Sequence, residues 1–378
     1  MKKTGQKRAG FALKMPMKRF IKENRGLLAW LAGLLAFLLL FLAARTSRTL
    51  MNWVARRVTG PLKDAVGTLC GHTDASVAEV LCLALVAAAI FWLASLVRSL
   101  VTERRRAAVL ARYVLVLACI ALSIYAGFCL LWGVNYYTDS FQEQSGIYAR
   151  SGTVAELETL TETFAENLAA CAGDVPRDED GCFAAPRGEI FDRSTEVYAA
   201  LYDEFPFLRL AGGERRPKAF RCSDALSAIG FTGFFFPFTG EANLNVDSPA
   251  AWLPSTICHE LAHLRGVASE QECNFIAILA ATRSDDPAYR YSGWLLGYIY
   301  LANALYRYAP DRWQAIRETL TESVVADIRA NNAYWAQFEG PVSTAWDRVY
   351  DSFLKGYGDA DGVQSYGTVV DLLLAYYL

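Results

Sequence analysis

Three apolar runs near the N-terminus decide first what this chain can fold into. Residues 26–44 carry no charge and are long enough to cross a bilayer as a helix. Residues 77–97 hold one acid, Glu79, in the first turn of a helix begun there. Residues 113–134 form a third run without charge. In lipid every backbone N–H and C=O needs an internal partner, so such runs must be helical. A cleaved leader ending near Ala43-Ala44 is the alternative for the first run, which is longer than a leader's apolar region normally is. The expectation is a three-helix membrane anchor over residues 26–134, behind a basic tail at residues 1–25.

Charge sets the expected orientation. The tail carries nine Lys and Arg against Glu23, and the 98–112 loop adds Arg98, Arg104, Arg105, Arg106 and Arg112. The positive-inside rule then places the N-terminus in the cytoplasm and everything after residue 134 outside. Trp132, Tyr136 and Tyr137 suit an aromatic belt at the membrane interface. Residues 50–69 mix apolar and basic positions, as an amphipathic interfacial helix or a packed connection would. A net charge of -2 argues against a nucleic-acid partner.

The stretch Cys258-His259-Glu260-Leu261-Ala262-His263 carries the chemistry. Histidines four residues apart share one helical face. With Glu260 between them this is the spacing of two zinc ligands and a carboxylate general base. The plain alternative is a helix with two hydrogen-bonded histidines and a solvated Glu260. Pro254 and Ser255 open this helix and Gly266 ends it. The next helix runs from Ser269 to about Arg283.

A catalytic zinc takes three protein ligands and keeps one position open. Ser269 stands where the metzincin pattern has its third histidine, and the remaining His72 lies in the membrane part. A carboxylate is therefore expected, as in the gluzincins, and Glu270 and Glu272 both begin the following helix. Glu272-Cys273-Asn274 resembles the stretch that carries the ligand glutamate in several short gluzincins, which favours Glu272. Its other reading is the N3 acid of a capping box on Ser269.

The rest of residues 135–378 reads as a globular domain. Val154, Leu157, Leu160, Phe164 and Leu168 fall at helical spacing. Cys171 and Cys182 flank a Gly/Asp-rich loop and are compatible with a disulfide or with two thiols. A helix is expected over residues 195–205. Short strands are expected within residues 230–247, with Asn243-Leu244-Asn245-Val246 as an edge strand because it alternates. Helices are expected over residues 289–308, 312–336, 344–357 and 365–377.

Three more stretches, Trp132–Tyr137, Phe236–Asn243 and Asp361–Gly367, together with the histidine motif, resemble the bacterial membrane proteins grouped as domain of unknown function 3810. The resemblance implies an α-helical membrane anchor of three transmembrane helices. It is followed by a mainly α, α+β zincin-like, gluzincin-type domain with a small β-sheet. The function expected is a membrane-anchored zinc metallopeptidase that hydrolyses peptide bonds. His259, His263 and Glu272 would hold Zn2+, Glu260 would be the general base, and Tyr366 would be a donor to the oxyanion or a packing residue. Its partners would be a peptide or protein substrate and the bilayer. The alternative is a non-enzymatic membrane protein with a structural or sensory metal site.

Overall fold

The computed structural model describes residues 17–356 and 366–378. In chain order the helices begin with α1 (Met17–Glu23), α2 (Arg25–Ala44), α3 (Arg48–Val54), α4 (Gly60–Cys70), α5 (Val77–Thr102) and α6 (Arg106–Leu131). Next come α7 (Phe141–Ser145), α8 (Val154–Cys171), α9 (Arg187–Arg193), β1 (Lys218–Phe220) and α10 (Ser223–Ala228). Then follow β2 (Gly233–Phe236), β3 (Glu241–Asn245), α11 (Leu253–Leu264), α12 (Glu270–Thr282) and α13 (Pro287–Tyr308). The chain ends with α14 (Pro310–Arg317), α15 (Glu322–Ala336), α16 (Pro341–Gly356) and α17 (Tyr366–Tyr377). The fold is mostly helical with one small sheet.

Two compact units partition these elements. One comprises residues through Ala44 together with Leu81–Cys129. Within it, α2, α5 and α6 are long and apolar enough to cross a membrane. Sparse polar contacts join them: Trp30 Nε1 donates to Ser123 Oγ at 3.0 Å, and Ser95 and Tyr113 share a hydroxyl bond of 2.8 Å.

The other unit is Arg45–Val80 with Leu130–Leu378. Its core forms where α8, α11, α12, α13 and α17 bury Phe164, Leu261, Phe275, Ile278, Leu301 and Leu372 against one another. Close approach needs glycine. A Cβ on Gly297 would lie 2.2 Å from the Phe164 ring, and one on Gly293 would lie 2.7 Å from Ala281 Cβ. Removing the side chain lets α13 pack tightly on α8 and α12. The division differs from the expected boundary at residue 135, because residues 45–80 fold with the later domain.

The sheet order is β1-β3-β2, with β1 parallel and β2 antiparallel to β3. β3 is therefore the central strand, which corrects the reading of residues 243–246 as an edge. The polar positions that suggested exposure are buried and paired. Asn243 Oδ1 accepts from Ser76 Oγ at 2.6 Å, and Asn245 Nδ2 donates to Ser227 Oγ at 2.8 Å. β2 is the edge.

The sheet also grips the start of α5. The Glu241 carboxylate accepts the Val77 and Ala78 N–H groups at 3.3 and 2.8 Å. Glu79 reaches back to accept the Arg221 and Cys222 N–H groups at 3.1 and 2.8 Å. Each carboxylate caps backbone donors of the other segment, which suits the open N–H groups of a helix N-terminus.

Two other expectations are corrected. Residues 195–205 form turns and a short 3-10 turn rather than a helix, and α9 lies just before them. The 312–336 helix is broken in two because the Thr321 side chain caps a fresh start at Glu322. Cys171 and Cys182 are both free thiols.

Candidate metal centre

α11 starts with Pro254 in its first turn, where a missing N–H costs nothing. It ends at Arg265, after which Gly266 takes φ +93. The chain turns, Ser269 Oγ accepts the Glu272 N–H, and α12 comes back across α11. This tight return brings the first residue of α12 beside the two histidines.

Their Nε2 atoms lie 3.1 Å apart. Glu270 Oε2 is 3.1 Å from His259 Nε2, and Glu270 Oε1 is 3.5 Å from His263 Nε2. Among the described residues these three form a cluster whose ligand atoms all fall within 4.8 Å. The outward nitrogens are spoken for. His263 Nδ1 lies 2.9 Å from the Val267 carbonyl, and His259 Nδ1 lies 2.9 Å from Asn274 Oδ1. Both partners are acceptors, so each Nδ1 carries a proton and each Nε2 is the nitrogen aimed inward.

Three electron-pair donors converging on one point call for a cation. Burial opposes charge on His263, yet the Cys273 sulfur and the Glu270 carboxylate together outweigh it and raise the imidazole pKa well above its ordinary value. Burial likewise opposes a charged Glu270, and the imidazoles reverse that and hold its pKa well below the ordinary range. Two imidazole nitrogens and one carboxylate also match the three-ligand set of a catalytic zinc.

Glu272, the expected third ligand, is elsewhere. Its oxygens accept the Phe141 and Gln142 N–H groups at 2.9 and 3.1 Å, capping α7. Residues two apart on a helix point about 200° apart, so positions 270 and 272 cannot face the same partner. Glu270 shares its face with Asn274, one turn on, and that face meets the histidines.

Glu260 lies beside this cluster, 4% exposed. The backbone N–H of Phe235 in β2 favours its charged form. Its Oε2 is buried and has no hydrogen-bond partner among the described residues. Burial pushes its pKa up. Gly233 leaves it room, since a Cβ there would stand 3.0 Å from Glu260 Cγ and Oε1.

Aromatic residues finish the site. The Trp132 ring meets the His263 ring edge-on at 5.5 Å, and Trp132 Nε1 donates to Tyr136 OH at 3.3 Å. Trp132 is thus a buried wall of the site rather than a belt residue. Tyr350 of α16 donates its hydroxyl to Glu270 Oε1 at 2.7 Å. No spacing in the sequence pointed to Tyr350, eighty residues from its acceptor. The Tyr366 side chain lies outside the described residues, as do residues 357–365. The Cys258 thiol is wholly buried, and Cys273 Sγ approaches His263 only at Nδ1, 3.3 Å away, so neither thiol joins the inward donor set.

These features define a mainly helical protein with three membrane-length apolar helices and a half-buried His-His-Glu cluster. Residues 56–374 match the family described as protein of unknown function (DUF3810), and the chain belongs to that family. No curated protein and no solved structure matches it.

Proposed function

We propose that the chain is a membrane-anchored, zinc-dependent peptidase in which His259, His263 and Glu270 hold the metal. One observation carries this reading: among the described residues, Glu260 keeps a buried carboxylate oxygen without a partner next to three converging donors. A structural metal site has no use for such a group, and leaving it unmatched is costly. When bound, zinc supplies a Lewis acid that polarises a carbonyl and acidifies a water. Glu260 would take a proton from an attacking water and return it to the leaving amine. β2 is an edge strand alongside Glu260, so an extended peptide can add to it through backbone hydrogen bonds. The Tyr350 hydroxyl, already at Glu270, is the side-chain donor placed to meet developing negative charge.

The test uses the full chain in detergent. Wild type should bind about one zinc per chain. Glu270→Gln should lose it. Glu260→Gln should keep zinc while peptide hydrolysis falls by roughly 10²–10⁴-fold. If zinc-loaded wild type and Glu260→Gln are indistinguishable across a peptide library, the peptidase reading fails in favour of a structural or sensory metal site.

A further inference from the structure

The segment between the first two apolar helices presents an apolar face that its own unit leaves uncovered. α3, a π-helical turn at Ala55–Thr59 and α4 run on as one helix from Arg48 to Cys70. Its inner face is buried. Thr59 Oγ1 donates to the Leu130 carbonyl at 2.7 Å, and Lys63 Nζ donates to the Leu264 carbonyl at 2.6 Å. Its outer face holds Leu50, Trp53, Leu62 and Leu69, which are 41, 57, 42 and 73% exposed. Arg57 is exposed among them.

The π turn makes these residues one stripe. At about 100° per residue, Leu50 and Leu62 would lie about 120° apart in an unbroken α-helix. Absorbing one residue in the wide turn brings them to within about 20°, and Leu69 follows nearly two turns later. Pro61 gives the turn a cause. It has no N–H, and its ring would strike the Arg57 carbonyl in a straight α-helix. The Gly60 N–H instead reaches the Ala55 carbonyl.

Connectivity names what covers the stripe. Three residues separate α2 from α3, and six separate α4 from α5. At about 3.5 Å per residue these links hold the helix ends within about 10 and 20 Å of the two apolar helices. Leucines, a tryptophan and an arginine on one face are also the composition of a helix lying in a bilayer surface.

We infer that the outer face of the Arg48–Cys70 helix lies in the headgroup–acyl boundary of the membrane that α2, α5 and α6 enter. That contact seats the metal centre at the lipid surface. The linkage is short, because Lys63 holds the carbonyl of Leu264, the residue after His263. Resting on the peptidase reading, this gives the substrate class: protein segments lying close to the bilayer, or peptides anchored to it.

The seat is tested without any activity. Full chain, wild type and Trp53→Phe, is reconstituted in vesicles of phosphatidylcholine and phosphatidylglycerol, with and without acyl-chain bromine. The difference spectrum between the two proteins is the Trp53 emission. It should lose most of its intensity in brominated vesicles. An unquenched Trp53 overturns the inference, and if the chain is then dimeric the stripe is covered by a second copy instead. A second comparison uses Leu62→Asp/Leu69→Asp at unchanged zinc content. Cleavage of a lipid-anchored peptide should drop, while cleavage of the same peptide free in solution should not. Equal loss on both peptides overturns the substrate class. Quenching with no cleavage by any form keeps the seat and removes the peptidase reading.

Discussion

At the scale of single residues, two glutamates two positions apart do unrelated work. Glu272 holds backbone N–H groups of α7, so Glu272→Gln should keep zinc and lower stability. Weakening a charged acceptor for two buried donors costs about 1–3 kcal/mol, readable as a drop in melting temperature. Lost zinc with unchanged melting would reverse the assignments of 270 and 272. The pair also marks how far the sequence could be read. The spacing of His259, Glu260 and His263 is local, and one helix face suffices to reveal it. Choosing between 270 and 272 needs the rotation of α12 about its own axis, which packing against α11 decides. Lys63 offers a pH signature. Burial pulls its pKa down to about 8 from an ordinary 10.5. The folded state therefore gives up this proton first as pH rises, and between those values the unfolded chain binds more protons. Stability from this group should thus rise from pH 8 to 10.5, by something on the order of 3 kcal/mol. Unfolding of Lys63→Met should lack that rise, at the added cost of an unmatched Leu264 carbonyl.

At the scale of elements, helices were legible where caps and periodicity agreed, as for α8, α11 and α12. Sheet order was not. Asn243 and Asn245 look like solvent-facing positions, and their partners Ser76 and Ser227 cannot be paired with them from spacing alone. Placing β3 in the centre leaves β2 as the strand against Glu260, and Gly233 is where that contact is closest. Gly233→Ala should push the Glu260 side chain by a few tenths of an ångström. Zinc binding should stay intact, and hydrolysis should fall by up to roughly 10²-fold, since small misplacements of a reacting group are expensive. Activity equal to wild type would mean that Glu260 is not held by β2.

At the scale of the whole molecule, composition announced the three apolar helices but not the segment that folds with the later domain. Lys218 donates to the Cys70 and Ala75 carbonyls, and Glu241 accepts from Val77 and Ala78. A fragment of residues 138–378 loses all of these partners. It should show no cooperative thermal transition by circular dichroism, whereas full chain in detergent should melt cooperatively. The expected orientation has its own check: a reporter fused after Leu378 should be cut by protease added to intact spheroplasts. The mutual capping of Glu241 and the start of α5 has a consequence in time as well as in space. The bonds join residues more than 140 positions apart. During synthesis the first turn of α5 leaves the ribosome with open N–H groups and an unmatched Glu79, long before Arg221, Cys222 and Glu241 exist. Contacts of such high order form late and slowly. The unit that holds the sheet can thus be completed only after the start of α5 has waited for it, and an interrupted chain would expose those unmatched groups to quality-control proteases.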